Sequence, residues 1–339
     1  MTLTPRSPRS FACWIAAIAF AVLPLKLAGQ NCQTSAELDE ATKTAITTTA
    51  QRYFDMAAKG DSASLKQNAI PSLASDFAGI EAVMKERQPL LTGAQSTVSK
   101  SFLLDASGDA PLPQAQFYCG VFGKNGQTAN SAAFNFDNLP PAKYSVVLID
   151  STSAKGKTMF SEILQQMGND WKLAGLYMKP AQVVGHESDW FLTRAREFKA
   201  KGQLHNAWLY YMQCTDLTSR GMDFMSTLTT DNLYDESHSV APSDLPVAGK
   251  KVDLLAGSTT YTLTAVYVWE VGSDLDVFVK YRVQDVSNSN QTYQDNIAVM
   301  KALVTKFPEF RDAFSGVNAI AIDGQGRDYG TLLAMKDIK

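Results

Sequence analysis

Residues 188–219 read SDWFLTRAREFKAKGQLHNAWLYYMQCTDLTS and divide the chain into two parts. Before and after this segment, apolar residues tend to recur at every second position, which is typical of strands. Within the segment they recur at every third or fourth position, which is typical of helices. The sequence therefore predicts two bodies that contain strands, joined by a helical hairpin.

The spacing within this segment is regular. Small and large residues follow one another at intervals of 3, 4, 2, 3, 4 and 3 positions, in the order Ala195, Phe198, Gly202, Leu204, Ala207, Tyr211 and Cys214. This order resembles a single tetratricopeptide repeat, in which two helices pack closely around a short turn. The resemblance covers residues 188–219 and implies a turn at Gly202. It also implies small packing positions at Ala195, Ala207 and Cys214, and large ones at Phe198, Leu204 and Tyr211.

One such repeat cannot bury its own faces, so we expect the hairpin to pack on a neighbouring body. Burial of Phe198, Ala207 and Tyr211 would fit this expectation. A thiol at a small packing position acts as a buried hydrophobic group, so Cys214 is expected to be unpaired.

The N-terminus has the layout of a secretory signal. Arg6 and Arg9 precede an apolar run at 11–25, and small residues follow at 28 and 29. Residues 1–30 are therefore predicted to be a signal peptide and are set apart from the fold. The predicted location is periplasmic or extracellular. An uncleaved, membrane-anchored segment is the alternative, and it is the only membrane contact that we expect.

Export also limits the cysteine chemistry. Loss of Cys13 with the signal leaves Cys32, Cys119 and Cys214, so at most one internal disulfide can form. Because the repeat-like pattern assigns Cys214 to packing, the remaining candidate is a bond between Cys32 and Cys119. Such a bond ties the N-terminal segment to the first body and closes a long loop.

Length and composition suit two ordinary cores. The chain has 339 residues, of which 45% are hydrophobic and 19% charged. Its 31 basic and 34 acidic residues are interspersed and leave a net charge of −3. This balance provides no basic face for nucleic acid, so the expected partner is a protein or a small molecule.

The first body, at 31–185, is predicted to be α+β. Helical patterns occupy 42–60 and 71–89, and the proline at 89 is expected to end the second. Period-two patterns then follow at 99–106, 114–123, 129–136, 143–150, 158–167 and 170–179. This order, with the closing segment NDWKLAGLYMKP, resembles the cystatin-like roll of the NTF2-like superfamily over residues 40–180. The resemblance implies that the helices lie in the concavity, or cone, of a curved sheet.

Members of that superfamily include binders, association modules and enzymes that use Asp, His or Tyr inside the cone. No histidine lies between residues 32 and 185, so an Asp–His dyad is excluded from this body. The conceivable bases are Asp105, Asp137, Asp150 and Glu162, although acids at strand ends are usually solvated. The candidates for a pocket lining are Tyr118, Glu162, Trp171 and Tyr177, although such aromatic residues usually belong to a core.

Residues 186–220 form the predicted hairpin, and residues 221–250 are predicted to be a polar linker because proline and glycine recur there. Four potential metal ligands lie in this linker, namely Asp231, Asp235, Glu236 and His238. Their spacing matches no known metal motif, so no metal site is predicted.

The second body, at 251–339, is predicted to be a two-layer ββαββ unit. Its best hairpin spans 258–285, a helix is predicted at 292–306, and strands follow at 317–323 and 329–335. Both faces of the first hairpin carry apolar residues, so we expect at least part of the sheet to be covered on both sides.

No P-loop, nucleophile elbow, dinucleotide fingerprint or zinc cluster is present, so no cofactor and no catalytic residue are predicted. The main expectation is an exported, non-catalytic binding or association module of a bacterial envelope. The alternative is an isomerase- or hydratase-like enzyme with an Asp or Glu base in the cone. A structural envelope partner is a third possibility, and it requires an exposed apolar patch.

Overall fold

A computed structural model of the chain describes residues 31–339, except for residues 121, 124, 125 and 248. The predicted signal segment at 1–30 lies outside the described residues. The mixed content of helices and strands confirms the α+β class.

The helices are α1 (Glu40–Ala58), α2 (Ser62–Gln67), α3 (Pro71–Ser75), α4 (Ala78–Leu91), α5 (Ser188–Ala200), α6 (Leu204–Thr218), α7 (Leu228–His238) and α8 (Ser289–Lys306). Short 3-10 helices cover Pro308–Asp312 and Met335–Asp337. The strands up to the hairpin are β1 (Asn31–Thr34), β2 (Gln95–Asp105), β3 (Leu112–Cys119), β4 (Phe122–Gly123), β5 (Gly126–Gln127), β6 (Ala132–Leu139), β7 (Lys143–Ser153), β8 (Gly156–Met167) and β9 (Asp170–Pro180). The later strands are β10 (Met225–Ser226), β11 (Val252–Ala256), β12 (Thr259–Val271), β13 (Asp274–Arg282), β14 (Gly316–Ile322) and β15 (Asp328–Ala334).

The first body has three layers. Its central antiparallel sheet has the order β1-β2-β7-β8-β9, and a second sheet has the order β10-β6-β3. Alternate residues of β7 face opposite sides, so Val147 and Ile149 join the helices α1–α4 in one core. Val146 and Leu148 face the second sheet in another core. Both sides of the central sheet are therefore covered.

The helix α1 follows the predicted pattern closely. Asp39 caps it by accepting a hydrogen bond from the Thr42 backbone N–H at 2.9 Å. Its apolar stripe is buried against the central sheet, where the Phe54 and Phe160 rings meet edge to face at 5.2 Å. The Tyr53 hydroxyl donates to the Trp171 carbonyl at 2.9 Å, which fixes the helix to the last strand of the sheet.

The second predicted helix, at 71–89, was wrong in two respects. The segment forms two helices, α3 and α4, because the backbone leaves the helical region at Asp76. Pro89 does not end α4, which continues to Leu91. Because proline has no backbone N–H, α4 lacks one hydrogen bond in its last turn, yet the helix continues for two more residues.

The predicted disulfide is present. Cys32 on β1 is bonded to Cys119 on β3, across 87 positions of sequence. The bond joins the central sheet to the second sheet and indicates an oxidising compartment. Cys214 is a free, buried thiol, as predicted, and burial raises the pKa of this thiol to about 11.

The helical hairpin α5–α6 packs as its spacing predicts. Phe198, Ala207 and Tyr211 are buried, and Gly202 takes a positive φ of 76° at the turn, where glycine is favoured. The prediction for Leu204 was wrong, because this first residue of α6 is 44% exposed. The hairpin shares one continuous core with the second body, so it is packed against that body as expected.

The predicted linker at 221–250 was also wrong in part. Met225 and Ser226 form β10, which pairs with Phe134 and Ala133 of β6 in the first body. The next residues form α7, which starts with a capping box between Thr227 and Thr230. Only a few residues of α7 are apolar, so the sequence carries little helical periodicity there. The segment connects both bodies through regular structure.

The second body contains one strand more than the predicted ββαββ unit. Its sheet has the order β11-β12-β13-β14-β15, in which β13 and β14 are parallel and the other neighbours are antiparallel. The helix α8 covers one face, where the Tyr281 hydroxyl donates to Asn296 Oδ1 at 2.7 Å. No helix in the described part of the chain is both long and apolar enough to cross a bilayer.

Candidate functional site

The four predicted pocket residues lie in different places. Tyr118 is 58% exposed on the outer side of β3, and Trp171 is buried on the helix side of the central sheet. Tyr177 lies on the opposite side, where its ring is 5.8 Å from the Phe224 ring. Glu162 is fully buried in the middle of β8. The structure does not bring these four side chains together into a pocket.

Glu162 is enclosed by the core of the first body. Its partners on the neighbouring strands are Val147 and Leu176, which both face the helices. Neither carboxyl oxygen has a hydrogen-bond partner among the described residues. Burial raises the pKa of this carboxyl well above its ordinary value, which favours the protonated form.

The packing around Glu162 leaves no exposed surface on the carboxyl group. On the same side of the sheet, the side chains of Phe54, Phe160, Leu164 and Leu173 are buried as well. A general base must contact its substrate within hydrogen-bond distance. Glu162 has no such access in this conformation.

A different surface stands out in the second body, and a bulge in β12 creates it. The register shifts between Leu263 and Ala265, so that one extra residue is inserted in the strand. Tyr261 and Leu263 therefore lie on the α8 side together with Val266 and Val268. Ala265, Tyr267 and Trp269 lie on the opposite side of the sheet.

This opposite side, which we call the open face, carries apolar side chains from four adjacent strands. Its members are Tyr267, Trp269, Phe278, Ile320 and Leu332. None of them belongs to any of the three hydrophobic cores of the described residues or packs against one as a partly buried neighbour. The expected cover on both sides of the sheet was therefore wrong.

The register aligns the open face into a row. Tyr267 pairs with Phe278, Phe278 with Asn318, and Asn318 with Leu332. The Tyr267 and Phe278 rings are nearly parallel, with centroids 5.4 Å apart. Trp269 is 47% exposed and Leu332 is 44% exposed. The result is a nearly continuous apolar surface across the sheet.

Polar and charged side chains lie beside the apolar row of the open face. The Lys280 ammonium lies 5.5 Å from the centre of the Tyr267 ring. Asp276, opposite Trp269, is only 4% exposed, and its Oδ1 atom has no hydrogen-bond partner among the described residues. Burial and the nearby Asp274 raise the pKa of the Asp276 carboxyl. Asn318 Oδ1 is likewise buried and unpaired within the described chain.

This chemistry suits binding rather than catalysis. Protein interfaces are rich in aromatic residues at their centres, and the open face carries three, namely Tyr267, Trp269 and Phe278. In the segment that was predicted to be a linker, the Glu236 carboxylate accepts hydrogen bonds from Arg196 and Tyr211. Within residues 31–339, where the chain is described, no group of three or more His, Cys, Asp or Glu side chains is placed to bind a metal.

The apolar residues of β12 indicated the open face, but the strand pattern alone did not show which face of the sheet each residue occupies. The residues of β12 at 261–269 alternate between two apolar sets, which suggested cover on both sides. The bulge determines which of these residues lie on each face of the sheet, and only the strand register shows it.

Comparison of the chain with protein-family models, with curated proteins and with solved structures finds no match.

Proposed function

We propose that the protein is an exported, non-catalytic association module of a bacterial envelope that binds a partner protein through the open face. The attribution to bacteria is based on the style of the predicted signal segment. In this proposal the first body is an NTF2-like roll that serves as a rigid support. The observation that carries the proposal is the apolar row of the open face, which no part of the described chain covers.

The composition of the open face favours a protein partner. Tyr, Trp and Arg side chains dominate the binding energy of protein interfaces, and Trp269 is an aromatic side chain of this surface that is 47% exposed. Ile320 and Leu332 extend the patch with aliphatic side chains, which pack well against the apolar side chains of another protein. Large exposed apolar patches on monomers commonly mark interaction sites.

The alternative enzyme with a base in the cone gains no support from the packing. Glu162 is the candidate acid at the centre of the first body, and its carboxyl has no exposed surface. No second function is therefore proposed.

The test replaces Trp269 by Asp on the open face and uses Met167→Asp as a matched control. Met167 is 42% exposed at the β8–β9 turn of the first body, so both changes put a charge in place of an exposed apolar side chain. The tagged variants are used to capture partners from an extract of the native envelope, followed by quantitative mass spectrometry.

We expect the wild type and Met167→Asp to recover the same partner. Recovery with Trp269→Asp should fall at least about tenfold, because a buried interface tryptophan commonly contributes 2 kcal/mol or more. Circular dichroism and a thermal melt confirm that each variant is folded. Equal recovery by a folded Trp269→Asp variant would contradict the proposal.

A further inference from the structure

The edge strand β11 presents unpaired backbone groups along one side. It pairs only with β12, in a hairpin whose register places Ala256 opposite Thr259 across a two-residue loop. The pair that closes such a loop exchanges both of its backbone hydrogen bonds, and hydrogen-bonded pairs alternate along the ladder. The backbone N–H and C=O groups of Asp253 and Leu255 therefore point away from the sheet.

A groove runs along this edge, between β11 and the flank of α8. Its volume is about 720 Å³. We call it the edge groove and define it by six lining residues: Leu255, Ala256, Ala298, Lys301, Ala302 and Thr305. The residues from α8 follow the spacing i, i+3, i+4 and i+7, so they form one stripe of the helix. Small alanine side chains in this stripe leave room beside the strand.

The outward backbone groups of β11 have no partner among the described residues. No hydrogen bond outside the ladder reaches the backbone N–H or C=O of Asp253 or Leu255 there. At the far side of the sheet, Asn296 of α8 donates from Nδ2 to the Tyr329 carbonyl at 3.2 Å and to Thr331 Oγ1 at 2.8 Å, which fixes α8 over β15.

The surroundings of the edge groove are basic. Lys301 has no ion-pair partner among the described residues, and Lys306 reaches Asp244 only at 3.9 Å. Lys250 and Lys251 directly precede β11 and are exposed. One acid, Asp253, lines the groove, and its Oδ1 atom already accepts a hydrogen bond from Thr262. The groove is therefore complementary to a negatively charged ligand.

We propose that the edge groove binds an extended, acidic segment of a partner polypeptide, which adds to the sheet as a sixth strand beside β11. Backbone hydrogen bonds to Asp253 and Leu255 hold the segment, as in other cases of strand addition. Its side chains alternate, so one set packs against Ala298 and Ala302. Carboxylates of the segment pair with Lys301 and Lys306. This site is separate from the open face and does not depend on the function proposed for that face.

Two variants of Leu255 distinguish the contribution of its backbone N–H to binding from the contribution of its side chain. Leu255→Pro removes the outward N–H, while the ladder to β12 keeps its hydrogen bonds, since proline is tolerated on edge strands. Leu255→Ala removes most of the side chain and keeps the N–H. Lys301→Glu reverses the charge of the groove, and Lys85→Glu on the exposed side of α4 is its control.

The probe is a phage-displayed library of random octapeptides, selected on the whole mature protein and measured as labelled peptides by fluorescence polarisation. We expect selection of peptides rich in Asp and Glu. The affinity of a selected peptide should fall about tenfold or more with Leu255→Pro and with Lys301→Glu. It should change less than about threefold with Leu255→Ala, Lys85→Glu or the open-face variant Trp269→Asp.

Several results would overturn the proposal. One is a library that yields no acidic peptides. Another is a selected peptide whose affinity is unchanged in Lys301→Glu. If no peptide is selected and Lys301→Glu forms oligomers in analytical ultracentrifugation, the lysines only keep the strand edge from self-pairing. If Leu255→Pro does not fold, Lys301→Glu with its control still decides the outcome.

Discussion

At the scale of single residues, the fully buried Glu162 is the most consequential side chain of the first body. It has no hydrogen-bond partner among the described residues, and a buried carboxylate without a partner is costly. Burial raises its pKa well above the ordinary value of 4.5, so the folded protein binds this proton more tightly than the unfolded chain does. The stability of the first body therefore depends on pH.

The sign of this dependence follows from proton linkage. Because the folded state binds more protons, the free energy of unfolding decreases as the pH rises. The contribution of Glu162 is fully present below the unfolded pKa near 4.5 and is lost as the pH rises through the folded pKa. We expect Glu162→Gln to remove this loss, so that the variant is more stable than the wild type at high pH.

Urea unfolding between about pH 4 and about pH 8 measures this difference. Glu81→Gln, at an exposed position of α4, is the control and should follow the wild type. An identical pH slope for the wild type and Glu162→Gln would show that Glu162 does not determine the dependence.

The sequence singled out Glu162, but as a possible pocket residue. Its position in a strand pattern could not show whether the space above it is empty or filled. The filling comes from Tyr53 and Phe54 of α1, which are more than a hundred positions away in the sequence. Such long-range packing has no local sequence signal.

At the scale of elements, the helical hairpin shows what spacing can predict. Small residues at Ala195 and Ala207 let α5 and α6 approach closely, and both side chains are fully buried. Ala207→Leu adds volume to a packed interior and should lower the free energy of unfolding by about 1–3 kcal/mol. Chemical denaturation measures the change.

Ala200→Leu is the matched control for this prediction. Ala200 is exposed in the last turn of α5, so the same change should leave the stability within about 0.5 kcal/mol of the wild type. A loss with Ala207→Leu no greater than with Ala200→Leu would mean that the small position is not required for packing.

Most long elements of both bodies were predictable, because α1, α8 and the strands β7–β9 and β12–β15 have strong periodic patterns. The elements that were missed have short or polar sequences. The strands β1 and β10 contain four and two residues and are defined by their partners, β2 and β6. The open face depends on the bulge in β12, and the edge groove depends on β11, which was not predicted. The strands of the open face and the helix α8 beside the edge groove were recognisable from the sequence, but their exposure was not.

At the scale of the whole molecule, the disulfide joins two sheets that are distant in sequence. A loop of this length gives a stabilisation of about 4–5 kcal/mol in the chain-entropy model. We expect the double variant Cys32→Ser/Cys119→Ser to lose about 2–5 kcal/mol of unfolding free energy in urea. Reductant should destabilise the wild type and leave the double variant unchanged.

A thiol titration provides an independent check of the same bond. The denatured chain without residues 1–30 should show one free thiol, from Cys214. Three free thiols, or a double variant as stable as the wild type, would contradict the assignment.

The strand β10 affects the order in which the exported chain can fold. Synthesis proceeds from the N-terminus, so β6 emerges before the helical hairpin, and β10 emerges only after it. Until residue 226 has emerged, the backbone edge of β6 at Ala133 and Phe134 has no strand beside it. Unpaired edges in incomplete folds promote aggregation and are recognised by chaperones. We therefore expect the nascent first body to be prone to aggregation until the hairpin and β10 have emerged.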